Sequence, residues 1–119
     1  MKEIKVGICG WGNVATGLYE AVNANKKILK RNTNLDININ FIGARRDNPK
    51  CDPEGALILR DIFEVINQDI DVVVELIGGV ETARSLILSA IKNKKHVITA
   101  NKAVIFNHGD ELFEAARDN

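Results

Sequence analysis

The sequence predicts an α/β domain built on a doubly wound parallel sheet, and three observations predict it. Apolar runs of strand length alternate with stretches of helical periodicity along the chain. One of those runs, Val72-Val73-Val74-Glu75-Leu76-Ile77, is almost continuously apolar, as in parallel strands covered on both faces. A glycine-rich turn also stands directly between the first strand and the first helix.

The elements follow in order. Ile4 to Cys9 is the first strand, closed by Gly10-Trp11-Gly12. Val14, Leu18, Ala21, Val22 and Ile28 recur at near-helical spacing, predicting one helix from about Asn13 to about Lys30 that Arg31-Asn32-Thr33-Asn34 breaks. Ile37, Ile39, Phe41 and Ile42 lead into Gly43 as the second strand. Arg46 to Gly55, holding both prolines, has turn chemistry and reads as a mobile loop, with a short helix to follow around Asp61 to Asn67. Asp71 opens the third strand, the valine run, which ends at Gly78-Gly79. Ala83, Leu86, Ile87, Ala90 and Ile91 fall at i, i+3, i+4, i+7 and i+8, the clearest amphipathic helix in the chain, and Lys92-Asn93-Lys94-Lys95 ends it. His96 to Thr99 is a short fourth strand, and Asp110 to Arg117 a last helix with Leu112, Phe113 and Ala116 on one side. Parallel neighbours need crossover connections, so this order gives a Rossmann-like doubly wound parallel sheet in a single domain spanning residues 1–119. Ligands of such sheets sit at the carboxyl ends of the strands, which predicts that the turns after Cys9, Ala44, Leu76 and Thr99 form one surface.

Composition narrows the function. The 119 residues hold 16 Lys plus Arg against 16 Asp plus Glu, a balance without the basic footprint expected of nucleic-acid or anionic-membrane binders. No apolar run approaches the roughly 18 residues of a membrane helix. Cys9 and Cys51 show neither disulfide-framework nor metal-ligand spacing, and His96 and His108 have no partners at such spacing, so no metal site and a reducing cytoplasm are the expectations.

Gly10-Trp11-Gly12-Asn13-Val14-Ala15 matches G-x-G-x-x-G/A in the strand–turn–helix context the motif requires. Gly10 allows the tight turn, Gly12 a close backbone approach to a pyrophosphate, and Ala15, aided by Gly17, close packing of helix on strand. The phosphate is then held by backbone N–H groups and the positive end of the helix dipole. A plain glycine turn without a ligand is the competing reading. At the end of the second strand, where an acidic side chain would take the ribose hydroxyls of NAD, stand Arg45 and Arg46; Asp36 is at the wrong end and Asp47 lies beyond the arginines. A guanidinium suits the 2′-phosphate of NADP, so NADP is preferred over NAD with Arg45 as the main contact, against the alternative of a solvated charge pair. Glu75 inside an apolar strand is either a general base of raised pKa or a structural carboxylate accepting hydrogen bonds from loop N–H groups or from Lys102.

Val74-Glu75-Leu76-Ile77-Gly78-Gly79 and Val97-Ile98-Thr99-Ala100-Asn101-Lys102, taken with the glycine turn, resemble the amino-terminal nucleotide-binding domain of homoserine dehydrogenase along essentially the whole chain. More distant nicotinamide-dependent families, such as the glucose–fructose oxidoreductase-like enzymes, usually have Glu-Lys-Pro where Asn101-Lys102-Ala103 stands here. The resemblance implies NAD(P)-dependent interconversion of L-aspartate 4-semialdehyde and L-homoserine, in threonine, methionine and isoleucine biosynthesis. It assigns Gly10, Trp11, Gly12, Asn13 and Val14 to the pyrophosphate turn, with Ala15 where many members have glycine, and Arg45 to the 2′-phosphate. Gly78 and Gly79 pass beneath the nicotinamide ribose, and Thr99, Asn101 and Lys102 line the nicotinamide end, where the Lys102 ammonium orients the cofactor or polarises the substrate carbonyl. It also implies a second domain beyond Asn119 that supplies the substrate pocket, the dimer interface and the proton-transfer Lys and Asp, leaving no catalytic residue in this chain. A nucleotide-sensing module without catalysis, or the cofactor domain of another NAD(P)-dependent oxidoreductase, are the alternatives; a sensor would not need the Asn101-Lys102 pair.

Overall fold

The structure, a computed structural model, describes residues 2–53 and 55–119. Five parallel strands stand in the order β3-β2-β1-β4-β5. They are β1 (Lys2–Cys9), β2 (Leu35–Gly43), β3 (Leu57–Leu59), β4 (Val72–Glu75) and β5 (His96–Thr99), with helices α1 (Asn13–Ala24), α2 (Lys26–Thr33), α3 (Glu81–Lys92) and α4 (Lys102–Asp118). The chain leaves β1 toward β2 and later returns to β1's other side as β4, so the order reverses between β1 and β4. That reversal is the switch point at which such sheets bind ligands.

Alternation along β1 divides the core. Val6 and Ile8 face α1 with Ala15, Tyr19, Ile39, Ile42 and Val74, while Cys9 faces the other layer with Val65, Ile66, Val73, Leu86 and Ala90. Gly7 lies against that second layer: a Cβ there would sit 2.5 Å from Val65 Cγ1. β2 carries a bulge at Asn40, since Val6 pairs with Ile39 and Gly7 with Phe41. The extra residue explains why Ile39 and Ile42, three apart, both reach the α1 side.

Several expectations change. The single first helix is two, because Asn25 leaves helical geometry (φ −106, ψ 15) and its side-chain amide takes the Ala21 carbonyl at 2.8 Å. The stop in Arg31-Asn32-Thr33-Asn34 is Asn34, left-handed at φ 57. β3 was not expected; it is three residues long and pairs only with Phe41–Gly43 at the sheet edge. The loop after β2 is anchored: Asn48 Nδ2 donates to the Trp11 carbonyl at 3.1 Å, and Gly55 N–H donates to the Tyr19 hydroxyl at 2.9 Å. The short helix is a 3₁₀ turn, Ile62–Asn67, whose first amides are capped by Asp61 through Phe63 N–H at 3.0 Å. All five apolar positions foreseen in α3 are buried.

The last helix begins eight residues earlier than the spacing indicates, at Lys102 rather than Asp110. Asn101 starts it by accepting from Val104 N–H at 3.1 Å, and Gly109 is carried in its interior. Of the side assigned to the core only Leu112 is buried; Phe113 is 65% exposed and Ala116 is exposed.

Candidate functional site

Three of the four expected turns meet at the switch point. An open cleft of about 610 Å3 is lined by Gly10 and Trp11 after β1, Ala44 to Pro49 after β2, and Leu76, Ile77 and Gly78 after β4, with Ile62 and Thr82 closing it. The volume falls within the range of small-molecule and cofactor sites.

The glycine turn divides its labour. Gly10 has φ +114, and a Cβ there would lie 2.6 Å from the Leu76 carbonyl oxygen, so glycine is required by backbone and by packing at once. Gly12 stands at the N-cap of α1 in extended geometry, and an added Cβ meets nothing within 4 Å. No side chain caps α1, and its first turn holds no acidic residue, leaving amides and dipole open to an anion. Gly12, Asn13 and Val14 are exposed, whereas Ala15 is 1% exposed and packs into the core below. Gly17 adds nothing to that packing, because a Cβ there touches no neighbour. Trp11 is buried edge-on against Tyr19, ring centroids 5.5 Å apart, so its side chain supports the turn from beneath.

Arg45 and Arg46, which also line the cleft, are exposed, and among the described residues neither has an ion-pair partner. Asp47 beside them is engaged: Arg60 Nη2 donates to Asp47 Oδ1 at 2.5 Å, and Arg60 Nη1 to the Ala44 carbonyl at 3.2 Å. The sequence reading missed Arg60. It lies in the short β3 connection that propensity did not reveal.

Glu75 is fully buried, with both oxygens occupied. Oε2 accepts from Ile77 N–H at 2.9 Å and Oε1 from the Thr99 hydroxyl at 2.5 Å. The structural reading of this carboxylate therefore holds, with Thr99 and a loop amide as its partners; Lys102 is not among them. Thr99 Oγ1 accepts in turn from Asn101 N–H at 3.0 Å, and Asn101 Nδ2 donates to the Gly79 carbonyl at 2.6 Å. Gly79 has φ +85, the second such glycine among the described residues after Gly10. Thr99, Asn101 and Lys102 do not line the cleft: Thr99 opens on a groove between α3, β5 and α4, the Asn101 side chain is used as cap and clamp, and Lys102 is exposed on the first turn of α4. Ile62 and Thr82, which do line it, were not foreseen; Thr82 sits in the first turn of α3, a second strand–turn–helix junction that could have pointed to it.

Burial, with the Glu75 charge adding, pushes the Cys9 thiol up to about 12. It is a neutral core residue rather than a nucleophile. Among the described residues no group of three or more His, Cys, Asp or Glu is placed to hold a metal, and no helix is long and apolar enough to cross a membrane.

A five-strand parallel sheet with a glycine turn and an uncapped helix N-terminus at its switch point defines a Rossmann-type domain with a cleft of cofactor size. The sequence profile of the family described as "Homoserine dehydrogenase, NAD binding domain" matches residues 10–119. The chain belongs to the homoserine dehydrogenase family, as its nicotinamide-cofactor domain. It is 50% identical over 119 residues to a homoserine dehydrogenase of Pseudomonas aeruginosa, covering 99% of this chain and 27% of that protein. The Synechocystis enzyme of the same name is 40% identical over 121 residues, covering 95% of this chain and 26% of that one. Among solved structures, the Thiobacillus denitrificans homoserine dehydrogenase superposes with a TM-score of 0.90 at 36% identity, covering 98% of this chain and 27% of that one. The Staphylococcus aureus enzyme gives 0.87 at 34%, covering 99% and 31%. The chain thus spans about a quarter of the length of the curated relatives it matches.

Proposed function

We propose that this chain is the cofactor half of an NAD(P)-dependent enzyme interconverting L-aspartate 4-semialdehyde and L-homoserine, that it prefers NADP, and that proton transfer is performed by residues outside these 119. The observation that carries the reading is the cleft itself, lined by the glycine turn that leads into an uncapped helix start and by two exposed arginines. The bound nicotinamide supplies the hydride acceptor or donor. The chain's own part is to bind and orient. Amides of the turn around Gly12, Asn13 and Val14 hold the pyrophosphate, with Gly10, Trp11 and Ala15 shaping the turn. Arg45, seconded by Arg46, takes the 2′-phosphate, and the Arg60–Asp47 pair favours this by drawing the nearby carboxylate away. Gly78 and Gly79 let the nicotinamide ribose pass close, and Thr99, Asn101 and Lys102 stand on the nicotinamide side. The setting is an oligomeric cytoplasmic enzyme of amino-acid biosynthesis, with no nucleic-acid or membrane partner.

Calorimetric titration with NADP and NAD side by side tests the reading. NADP is expected to bind more tightly, and Arg45→Ala to weaken NADP by about 1.5–3 kcal/mol, as for loss of a charged hydrogen bond, with NAD little changed. Equal losses for the two nucleotides would refute the role given to Arg45, and tighter NAD binding would overturn the cofactor preference.

A further inference from the structure

The loop after β4 that brings Gly78 to the cleft is held at two points, and both trace back to the end of β5. Ile77 N–H is fixed by Glu75, whose other oxygen takes the Thr99 hydroxyl. Gly79 C=O is fixed by the Asn101 side chain, whose backbone N–H is fixed by the same Thr99 oxygen. The bonds form a closed circuit from β4 through β5 to the head of α4 and back to the loop. At its centre is a carboxylate that the proposed chemistry does not use. A buried carboxylate is costly unless its oxygens are satisfied, so the circuit is unfavourable to dismantle piecemeal. Between the two held points lies Gly78, which lines the cleft and whose added Cβ would meet nothing within 4 Å. Packing inside the chain does not require glycine there.

We propose that Glu75, Thr99 and Asn101 are positioning residues that hold the Gly78-Gly79 loop as the wall of the nicotinamide side of the cleft, while contacting no part of the cofactor through their side chains. The inference rests on the cofactor reading above and departs from it in one respect. Thr99 and Asn101 act through the loop rather than by lining the site. A loop held in advance removes the ordering cost of binding for the half of the ligand that meets it and leaves the adenosine half, at Arg45 and the α1 turn, untouched.

The test separates the two halves of the ligand. Affinity is measured by calorimetry for whichever of NADP and NAD binds more tightly and for its counterpart lacking both nicotinamide and its ribose, 2′-phospho-ADP or ADP, on the wild-type chain and three variants. Asn101→Ser keeps a good N-cap for α4 but is too short to reach the Gly79 carbonyl. Thr99→Val removes the hydroxyl at the centre of the circuit, and Thr99→Ser restores it. Asn101→Ser and Thr99→Val are expected to weaken the dinucleotide about tenfold, roughly one lost hydrogen bond and its ordering, and the nicotinamide-free fragment less than about twofold, with Thr99→Ser close to wild type. Thermal melts accompany each titration, and Asn101→Ser alone carries the test if Thr99→Val does not fold. Parallel losses for dinucleotide and fragment, or no loss for either, would overturn the proposal. Equal binding of dinucleotide and fragment by the wild type would overturn it while leaving the adenosine site standing, and no binding of either would refute the cofactor reading itself.

Discussion

Gly10 and Gly12 are two residues apart in one motif, yet the structure gives them different obligations, and substituting each in turn tests that division. Gly10→Ala asks alanine to adopt φ +114 and places its Cβ 2.6 Å from the Leu76 carbonyl oxygen and 2.9 Å from its carbon. The backbone strain costs about 1–3 kcal/mol, and the overlap, against main chain that cannot swing aside, about 1–3 kcal/mol more. At an unfolding entropy of about 2.1 cal/mol/K per residue over 119 residues, 1 kcal/mol is worth about 4 °C. A total of about 2–6 kcal/mol therefore lowers the midpoint by about 8–24 °C, a large share of the roughly 5–15 kcal/mol that holds a domain of this size. Gly12→Val has no such cost: its backbone is extended at φ −93, and the space around an added Cβ is open. It is expected to melt within about 4 °C of wild type, since a change clear of packing stays near ±0.5–1 kcal/mol, and to abolish calorimetric binding of NADP and NAD by filling the space the pyrophosphate needs. Differential scanning calorimetry and titration on the two variants decide the matter. A Gly12→Val that binds as wild type would remove the motif from the argument, and a Gly10→Ala as stable as wild type would show that the turn tolerates what its geometry forbids.

The Arg84–Glu111 clip between α3 and α4, with nitrogen to oxygen distances of 2.6 and 2.7 Å, sets an acid limb. Its hydrogen bonds hold the Glu111 carboxyl below the usual range, with the Arg84 charge and His108 adding to them. A depressed carboxylate stabilises fully above its unfolded pKa near 4.3 and loses that contribution as pH falls through the lower folded value, so wild type should lose stability more steeply than Glu111→Gln below about pH 4.3 in urea unfolding; coincident acid limbs would count against the clip. Cys9, buried and pushed up to about 12, should resist alkylation by iodoacetamide at pH about 8 in the folded chain and react in denaturant, as mass spectrometry would read. Labelling of native Cys9 at the denatured rate would contradict its place in the core.

Much of the sheet was legible because burial imposes a period. The valine run of β4 and the five apolar positions of α3 answer to two faces of one sheet, and both lie where the pattern puts them. What escaped was decided by single side chains rather than by periodicity. Asn25 divides a helix by competing for one carbonyl, and Asn101 begins another among β-branched and aromatic residues that argue weakly for helix. β3 has three residues, too few for alternation to register, and it exists because the Phe41–Gly43 edge is there to pair with.

The site was legible to the extent that its chemistry is borne by backbone. A glycine turn announces itself by spacing, and the cleft stands where a reversal of strand order requires, between the ends of β1 and β4. Spacing does not say why each glycine is there. Gly10 is demanded by φ and by the Leu76 carbonyl, Gly79 by φ, while Gly12 and Gly78 are demanded by nothing inside the chain. For those last two, the cofactor proposed above would supply the missing reason. Polar side chains invert the same logic. Asn101 and Thr99, which motif context directs toward the cofactor, have their hydrogen-bonding groups turned to Gly79, Val104, Glu75 and each other, whereas Arg45 and Arg46 bond to no carboxylate among the described residues. Sequence locates chemistry-bearing residues at the strand ends; only the accounting of partners separates those whose hydrogen bonds are spent within the chain from those without a partner among the described residues.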